Sequence, residues 1–189
     1  MDSSSKVVYL TFDDGPIPEC TPQVLDILAR YGVQATFFMV AENASRNPDL
    51  LARVRAEGHS VGNHTFHHMR GHQSLTSAYI DDALLGEHIL HTKLFRPPHG
   101  RMRYSQKKAM LDAGYTIYLW DVLTHDYNPY YTADKILSVV KQYTRNGSII
   151  VLHDSLKSME RMLEALPQII EWLQNDGYEL RALPVTYNK

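Results

Sequence analysis

The chain has 189 residues, of which 44% are hydrophobic and 21% charged, and these proportions exclude a disordered or membrane-embedded protein. Its 19 Lys and Arg against 21 Asp and Glu give a net charge of -2, so the molecule as a whole does not attract nucleic acid or an anionic membrane. Cys20 is the only cysteine, which excludes an internal disulfide. We expect a monomer with one domain over residues 1–189 and a core over about residues 7–183.

The sequence shows neither a membrane span nor a signal peptide. No apolar stretch approaches the roughly 18 residues that a membrane span needs, so we expect no membrane segment. The slightly negative net charge leads us to expect no nucleic-acid partner. The first residues also lack the apolar segment of a signal peptide. As written, the chain is expected in the cytoplasm; if a leader has been removed, the protein would work outside the cytoplasm or in the cell envelope.

Short β-branched and aromatic runs alternate with longer amphipathic stretches, a pattern typical of βα units and a parallel sheet. The pattern predicts six helical segments, including 22–31, 49–57 and 161–175. Five glycines each stand between a helical segment and the next strand: Gly32, Gly58, Gly114, Gly147 and Gly177. The predicted strands are seven, at residues 7–12, 35–40, 60–63, 93–96, 116–120, 148–152 and 178–182. The expected fold class is therefore α/β.

Chemically active side chains follow the predicted strands at their C-terminal ends, where parallel βα architectures gather their functional loops. They are Asp13 and Asp14 after the first strand, His64 and His68 after the third, Arg96 after the fourth, Asp121 after the fifth, and His153 and Asp154 after the sixth. Because these strand ends share one edge of the sheet, we expect the groups to lie together.

Two adjacent carboxylates, Asp13 and Asp14, end the first strand within the segment TFDDGP at residues 11–16. A functional pair would divide its roles, one carboxylate binding a cation while the other moves protons. Considered alone, the two acids fit a solvated turn equally well.

His64 and His68 stand four residues apart, a spacing that on a helical turn places both rings on one side. With Asp14 as third ligand they would offer two nitrogens and one oxygen, a set that suits Zn²⁺, with Co²⁺ or Ni²⁺ as alternatives. Three protein ligands leave positions open for water and substrate, which points to catalysis. In a chain with 10 histidines, the same spacing also arises by chance.

Two further residues suit catalysis, Arg96 as a supporting cation and His153 as an acid. Arg96 opens the rigid segment RPPHG at residues 96–100, and its permanent charge can fork onto Asp13, while a backbone N–H near His99 can donate to an oxyanion. His153 ends an apolar strand, and histidine is suited to donate a proton near neutral pH. Taken singly, each residue also fits a structural role in a turn or at a strand end.

Together these segments resemble the NodB-homology polysaccharide deacetylases, carbohydrate esterase family 4, from Val7 to about Leu183. The resemblance implies a distorted (β/α) barrel of about seven parallel strands. It also implies an enzyme that hydrolyses N-acetyl groups on peptidoglycan or a chitin-like N-acetylglucosamine glycan. The implied roles are general base for Asp13, ligands of one divalent metal for Asp14, His64 and His68, orientation of Asp13 for Arg96, and general acid for His153.

The sequence departs from the family at its fourth motif, usually Asp-x-x-Asp-Trp, which here reads LTHDY at residues 123–127. The first carboxylate is missing, so Asp121 or Asp126 is expected to support the catalytic Arg96 or His153 instead. Tyr127 replaces an aromatic wall with another aromatic, and His99 stands where the family often has Tyr. The expected substrate contacts are His99, Trp120, Tyr127 and Leu152.

The altered motif leaves two other functions open. One is an O-acetyl esterase acting on a xylan-like polysaccharide, which would release acetate from esters instead of amides. The other is a catalytically weakened, glycan-binding member of the family, which would retain a glycan without turning it over.

Overall fold

The computed structural model describes residues 6–184 and shows strands alternating with helices. The ends of the expected domain, residues 1–5 and 185–189, lie outside the described residues. The strands are β1 Lys6–Asp13, β2 Thr36–Met39, β3 Ser60–Asn63, β4 Leu94–Phe95, β5 Thr116–Ile117, β6 Val122–Leu123, β7 Ile149–His153 and β8 Tyr178–Leu180. The helices are α1 Thr21–Tyr31, α2 Ala41–Arg46, α3 Pro48–Ala56, α4 Thr76–Leu90, α5 Tyr104–Asp112, α6 Ala133–Tyr143 and α7 Met159–Asn175, with short 3-10 turns at Gly71–Gln73 and Pro98–Gly100.

All strand pairs in the sheet are parallel, as the sequence predicts. Seven strands follow in the order β5-β4-β3-β2-β1-β7-β6, and β8 pairs with the first half of β1. The two strands at the ends of this order are joined only by residues 118–121, so the sheet curls until its edges approach each other. The distorted (β/α) barrel is therefore confirmed, and β1 pairs with three of its strands, β2, β7 and β8.

The structure has one strand more than predicted, because the expected strand at residues 116–120 stops at Ile117 and β6 follows it. The carbonyls of Tyr118 and Leu119 are turned away from sheet pairing and accept hydrogen bonds from the Arg96 guanidinium at 3.3 and 3.1 Å. A buried side chain thus satisfies backbone groups that a strand would otherwise pair. Elsewhere the strand bounds differ from the predicted ones by a residue or two.

Helices cover the outer face of the sheet, and side-chain alternation along the strands separates a packed face from a functional one. Leu10 and Phe12 of β1 pack in the main hydrophobic cluster with helix residues such as Leu28 and Ile169. Thr11 lies on the opposite face, which forms the interior of the curled sheet and ends in the polar groups of its rim. Side chains of the interior face therefore lie at the open end of the barrel, at the C-terminal ends of the strands.

Local signals fix the helices that make this outer layer. The seventeen-residue α7 buries Met162, Leu166, Ile169 and Leu173, whose spacing of three or four residues marks one face of a helix. All five glycines predicted to end helices have φ values between 64° and 85°, the left-handed conformation that glycine adopts without strain.

None of the helices in residues 6–184 combines the length and hydropathy needed to span a bilayer.

Candidate active site

A pocket of about 320 Å³ opens at the C-terminal edge of the sheet. Its lining is formed by Asp13, Asp14, His64, His68, His99, Trp120, Leu123, Tyr127, His153, Ser155 and Lys157. The strand-end side chains gather at one edge as expected, with the exception of Asp121. Arg96 and Asp126 lie directly behind the pocket, each bonded to a residue that lines it.

On one side of the pocket, Asp13 and Arg96 form a buried ion pair. Arg96 is completely enclosed, and its NH1 group donates to Asp13 Oδ1 and to Thr11 Oγ1, both at 2.7 Å. Its guanidinium also stacks over the Phe38 ring at 4.1 Å. Burial lowers the pKa of Arg96, but the adjacent Asp13 carboxylate opposes this change. The second Asp13 oxygen, Oδ2, is left facing His64, whose Nε2 lies 4.0 Å away.

Beside Asp13, the side chains of Asp14, His64 and His68 bring three ligand atoms within 4.8 Å of one another. Asp14 Oδ1 lies 3.2 Å from His68 Nε2 and 3.8 Å from His64 Nε2. Bonds of about 2.0–2.1 Å in a tetrahedral site separate ligand atoms by about 3.3 Å, so these three groups are spaced to share one ion.

The protonation states of the cluster also suit a metal. His64 Nδ1 lies 2.8 Å from the Arg96 carbonyl, which can only accept, so Nδ1 carries the proton and Nε2 keeps its lone pair. Burial lowers the pKa of His64 to about 4, so the ring is neutral near pH 7. Burial alone would raise the pKa of Asp14, but the hydrogen bond to His68 and the charges of His64 and His153 hold it well below its usual range. Neutral imidazole and ionised carboxylate are the forms that ligate metals.

The segment that carries the two histidines is an irregular loop, so the expected helical turn is wrong. Thr65 and His68 have φ values of 64° and 54°, and the loop is held by side chains from outside it. Asn63 Oδ1 accepts from the Thr65 N–H at 2.8 Å, and Asp82 of α4 accepts from two backbone N–H groups, of Phe66 and His67, at 3.0 Å.

Sequence reasoning missed Asp82, although a signal for it was present. This acid occupies the buried stripe of α4, three residues after Tyr79 and four before Gly86, where an apolar side chain is expected. A carboxylate in that position needs partners, and the His67 ring and the loop amides are those partners.

The loop that carries Asp14 is fixed by a second buried acid, Asp154, which directly follows His153. Its Oδ1 accepts from the Gly15 N–H at 3.0 Å and its Oδ2 from Thr21 Oγ1 at 2.6 Å. Burial raises the pKa of Asp154 to about 7, although the two hydrogen bonds oppose the rise. A Cβ atom at Gly15 would collide with this carboxylate, so only glycine fits beneath it.

His153, the register partner of Asp13 on the neighbouring strand β7, is paired with Asp126. The Asp126 carboxylate is completely enclosed and accepts from the His153 backbone N–H and from ring Nδ1, both at 2.7 Å. Burial by itself would lower the pKa of His153, but the bond and charge of Asp126, together with Asp13 and Asp14, raise it to about 9. The ring is therefore an imidazolium near neutral pH.

Two expected site residues lie elsewhere. Leu152 is fully buried in the core cluster against the helices, so the prediction that it contacts substrate is wrong. Neighbouring strand residues point to opposite faces, and His153 takes the interior one. Asp121 is also wrongly expected to support the site: it binds exposed Arg145 at 3.0 Å and the Ile149 N–H at the far end of β7 from His153.

The expected aromatic contacts do line the pocket. The His99 ring lies 4.8 Å from His68, with φ of 58° at a turn, and its Nε2 accepts from Arg70 Nε at 3.2 Å. Tyr127 meets the His153 ring edge-on at 5.2 Å, and Trp120 closes the wall over Gly100. Sequence reasoning missed the remaining wall, which is Leu123, Ser155 and Lys157.

Known proteins resemble this chain in sequence and in fold. The polysaccharide deacetylase family model matches residues 1–118. A peptidoglycan-N-acetylglucosamine deacetylase from Bacillus cereus is 36% identical over 184 residues, covering 93% of this chain and 85% of that protein. A chitooligosaccharide deacetylase from Bradyrhizobium sp. is 33% identical over 201 residues, covering 96% of this chain and 91% of its own length.

Among solved structures, a peptidoglycan N-acetylglucosamine deacetylase in complex with 4-naphthalen-1-yl-N-oxidanyl-benzamide superposes with a TM-score of 0.92. It is 34% identical, and the match covers 96% of this chain and 87% of that one. The agreement in fold thus extends over nearly the whole length, beyond the residues that the family model matches. The chain belongs to the polysaccharide deacetylase family, the NodB-homology group of carbohydrate esterase family 4.

Proposed function

We propose that this protein hydrolyses N-acetyl groups on an N-acetylglucosamine polymer and releases acetate. The observation that carries the proposal is that two ion pairs, Asp13 with Arg96 and His153 with Asp126, lie beside the metal-ligand cluster, each with one partner that lines the pocket. Amide hydrolysis needs a group that takes a proton from water and another that gives one to the leaving amine. The two deacetylase relatives described above support the same substrate class.

We infer that Asp14, His64 and His68 hold one divalent metal, Zn²⁺ in the first place and Co²⁺ or Ni²⁺ as alternatives. The spacing of the three ligand atoms and the mixture of two nitrogens and one oxygen support this choice. When bound, the ion would polarise the acetamide carbonyl and lower the pKa of a water molecule.

Asp13 acts as the general base through Oδ2, the oxygen that Arg96 leaves free. Arg96 fixes the orientation of the carboxylate and keeps its charge compensated inside the protein. As Asp13 takes the proton, the water oxygen adds to the carbonyl carbon, and the backbone near His99 donates to the oxygen on which negative charge develops.

His153 acts as the general acid. Its Nδ1 is held by Asp126, so the other ring nitrogen, Nε2, is the one that can pass a proton to the sugar nitrogen. Protonation lets the C–N bond break, leaving acetate and a free amino group on the sugar. Asp126 keeps the ring charged before the reaction and holds its orientation during it.

A general acid that is already protonated near neutral pH favours amides over esters. An amine leaves only when it is protonated, whereas the alkoxide of a sugar ester is a better leaving group and needs less help. The raised pKa of His153, about 9, therefore supports N-deacetylation ahead of the O-acetyl esterase alternative. Trp120 and Tyr127 provide the apolar faces on which a sugar ring can stack.

The test measures acetate and free amine released from N-acetylglucosamine oligomers, with O-acetylated xylan as the ester comparison, in protein supplied with zinc or cobalt. We expect release from the amide substrate and little from the ester. Release from xylan alone would favour the esterase. Glycan binding without any release, with either metal, would favour a catalytically weakened member and contradict the proposal.

A further inference from the structure

Two recesses adjoin the active-site pocket on the same face of the protein. The first, of about 380 Å³, shares His99 with the pocket. The second, of about 900 Å³, shares His72 and Arg101 with the first. Because neighbouring recesses share wall residues, the three form a path that leads from the metal-ligand cluster toward α5. A volume of this size accommodates a saccharide unit with its substituents.

The path is basic although the protein as a whole is slightly acidic. Arg70, His72, Arg101 and Lys107 line the two recesses, and no Asp or Glu is among the described residues that do so. We call these four residues the basic track. Within residues 6–184, the side chains of Arg101 and Lys107 make no ion pair, so their charges are available to a ligand.

The floor of the larger recess is apolar. Leu111 and Leu119 are each 49% exposed, and Met102, Ile117 and Pro97 lie beside them. Exposed leucines beside unpaired cations suit a ligand with apolar carbon surface and anionic groups. A sugar with a carboxylate-bearing substituent has both features, whereas an unsubstituted neutral sugar offers the cations hydrogen-bond acceptors but no opposite charge.

We propose that the basic track binds carboxylates carried by the glycan one or more sugars away from the reacting N-acetyl group. The proposal rests on the proposed function and narrows its substrate to a carboxylate-bearing N-acetylglucosamine polymer, of the peptidoglycan type, in preference to a neutral chitin-type chain. Arg70 connects the two sites, because its Nε donates to His99 at the boundary between pocket and track.

The test compares two tetrasaccharides of equal length, one of N-acetylglucosamine only and one in which alternate sugars carry a lactyl ether carboxylate. Acetate release gives kcat/KM, and calorimetry gives Kd independently of turnover. In the double variant Arg101→Gln and Lys107→Gln, the preference for the carboxylated oligomer should fall about tenfold, the effect of two rim charge pairs of several tenths to one kcal/mol each. The preference of the wild type should also shrink as salt is raised.

The matched control is the double variant Arg30→Gln and Lys141→Gln, which removes the same charge from exposed positions of α1 and α6 and should keep the preference. An equal loss on both oligomers, a loss on neither, or a wild type without preference would overturn the proposal. If no acetate leaves either oligomer, the proposed function fails, and the calorimetric preference still decides whether the track binds carboxylates.

Discussion

The two ion pairs of the active site are built in opposite senses. In the first, the cation Arg96 is completely enclosed and the carboxylate of Asp13 faces the pocket. In the second, the carboxylate of Asp126 is completely enclosed and the cationic ring of His153 faces the pocket. The same attraction therefore supports a base in the first pair and an acid in the second. Which partner is buried behind the wall decides which one meets the substrate.

Replacing the exposed partner of the first pair should have the largest effect on catalysis. Asp13→Asn removes the group that takes the proton of water but keeps nearly the same shape beside Arg96. We expect kcat to fall by about 10³ to 10⁴, at the upper end of what a general base contributes, with glycan binding retained. Steady-state kinetics and calorimetry check both parts, and a loss under tenfold would mean that another group is the base.

Replacing the buried partner of the same pair should affect stability as well. Arg96→Met leaves the Asp13 charge enclosed without a partner, which we expect to cost about 3–5 kcal/mol of unfolding free energy. The control is Arg145→Met, because Arg145 is 77% exposed and its pair with Asp121 should contribute under about 1 kcal/mol. Urea unfolding measures both, and similar losses in the two variants would contradict the difference drawn between them.

Breaking the second pair should change the pH dependence. With Asp126 in place the pKa of His153 is about 9, above the ordinary value of 6.5, so the acid stays protonated through neutral pH. In Asp126→Asn the alkaline limb of kcat should move from near pH 9 toward pH 7. Asp121→Asn, at the far end of β7, should leave the profile unchanged. An unmoved limb in Asp126→Asn would show that another group sets it.

The same pair should make stability depend on pH. Since folding raises the pKa of His153, its contribution is fully present below about pH 6.5 and is lost as pH rises through about 9. The expected loss is on the order of 3 kcal/mol. Unfolding measured between pH 6 and 10 should show this slope in the wild type, and a much weaker one in Asp126→Asn.

The smallest expected effect comes from an aromatic side chain that lines the pocket. Tyr127→Ala removes a ring that lines the pocket and lies 5.2 Å from His153. We expect KM to rise by about three- to tenfold, which corresponds to the loss of the binding free energy of one aromatic contact, while kcat changes little. A large fall in kcat would instead mean that Tyr127 helps to position the acid.

The pocket side chains that directly follow a strand were predictable from the sequence, because the C-terminal ends of parallel strands lie at the same edge of the sheet. The position of Leu152 was predictable as well. Side chains alternate along a strand, so when His153 points into the barrel its neighbour Leu152 points to the core. Asp13, Asp14 and His153 needed no structure to be placed together.

What the sequence did not predict depends on contacts between distant segments. The loop from His64 to His68 takes its shape from Asp82 on α4, and β6 arises where Arg96 draws the preceding carbonyls out of the sheet. Asp126 and Asp121 look alike in the sequence, and only the folded chain tells them apart, because one lies behind His153 and the other on the surface beside Arg145. Periodicity carries no information of this kind.

The most direct measurement is acetate release from an N-acetylglucosamine oligomer as zinc is titrated into metal-stripped protein, with bound zinc counted in parallel. Activity should rise and level off at one zinc per chain, and His64→Ala should lose both zinc and activity while His88→Ala, an exposed residue of α4, keeps both. Activity that is independent of metal, or a His64→Ala variant that still binds one zinc and releases acetate, would contradict the proposed centre.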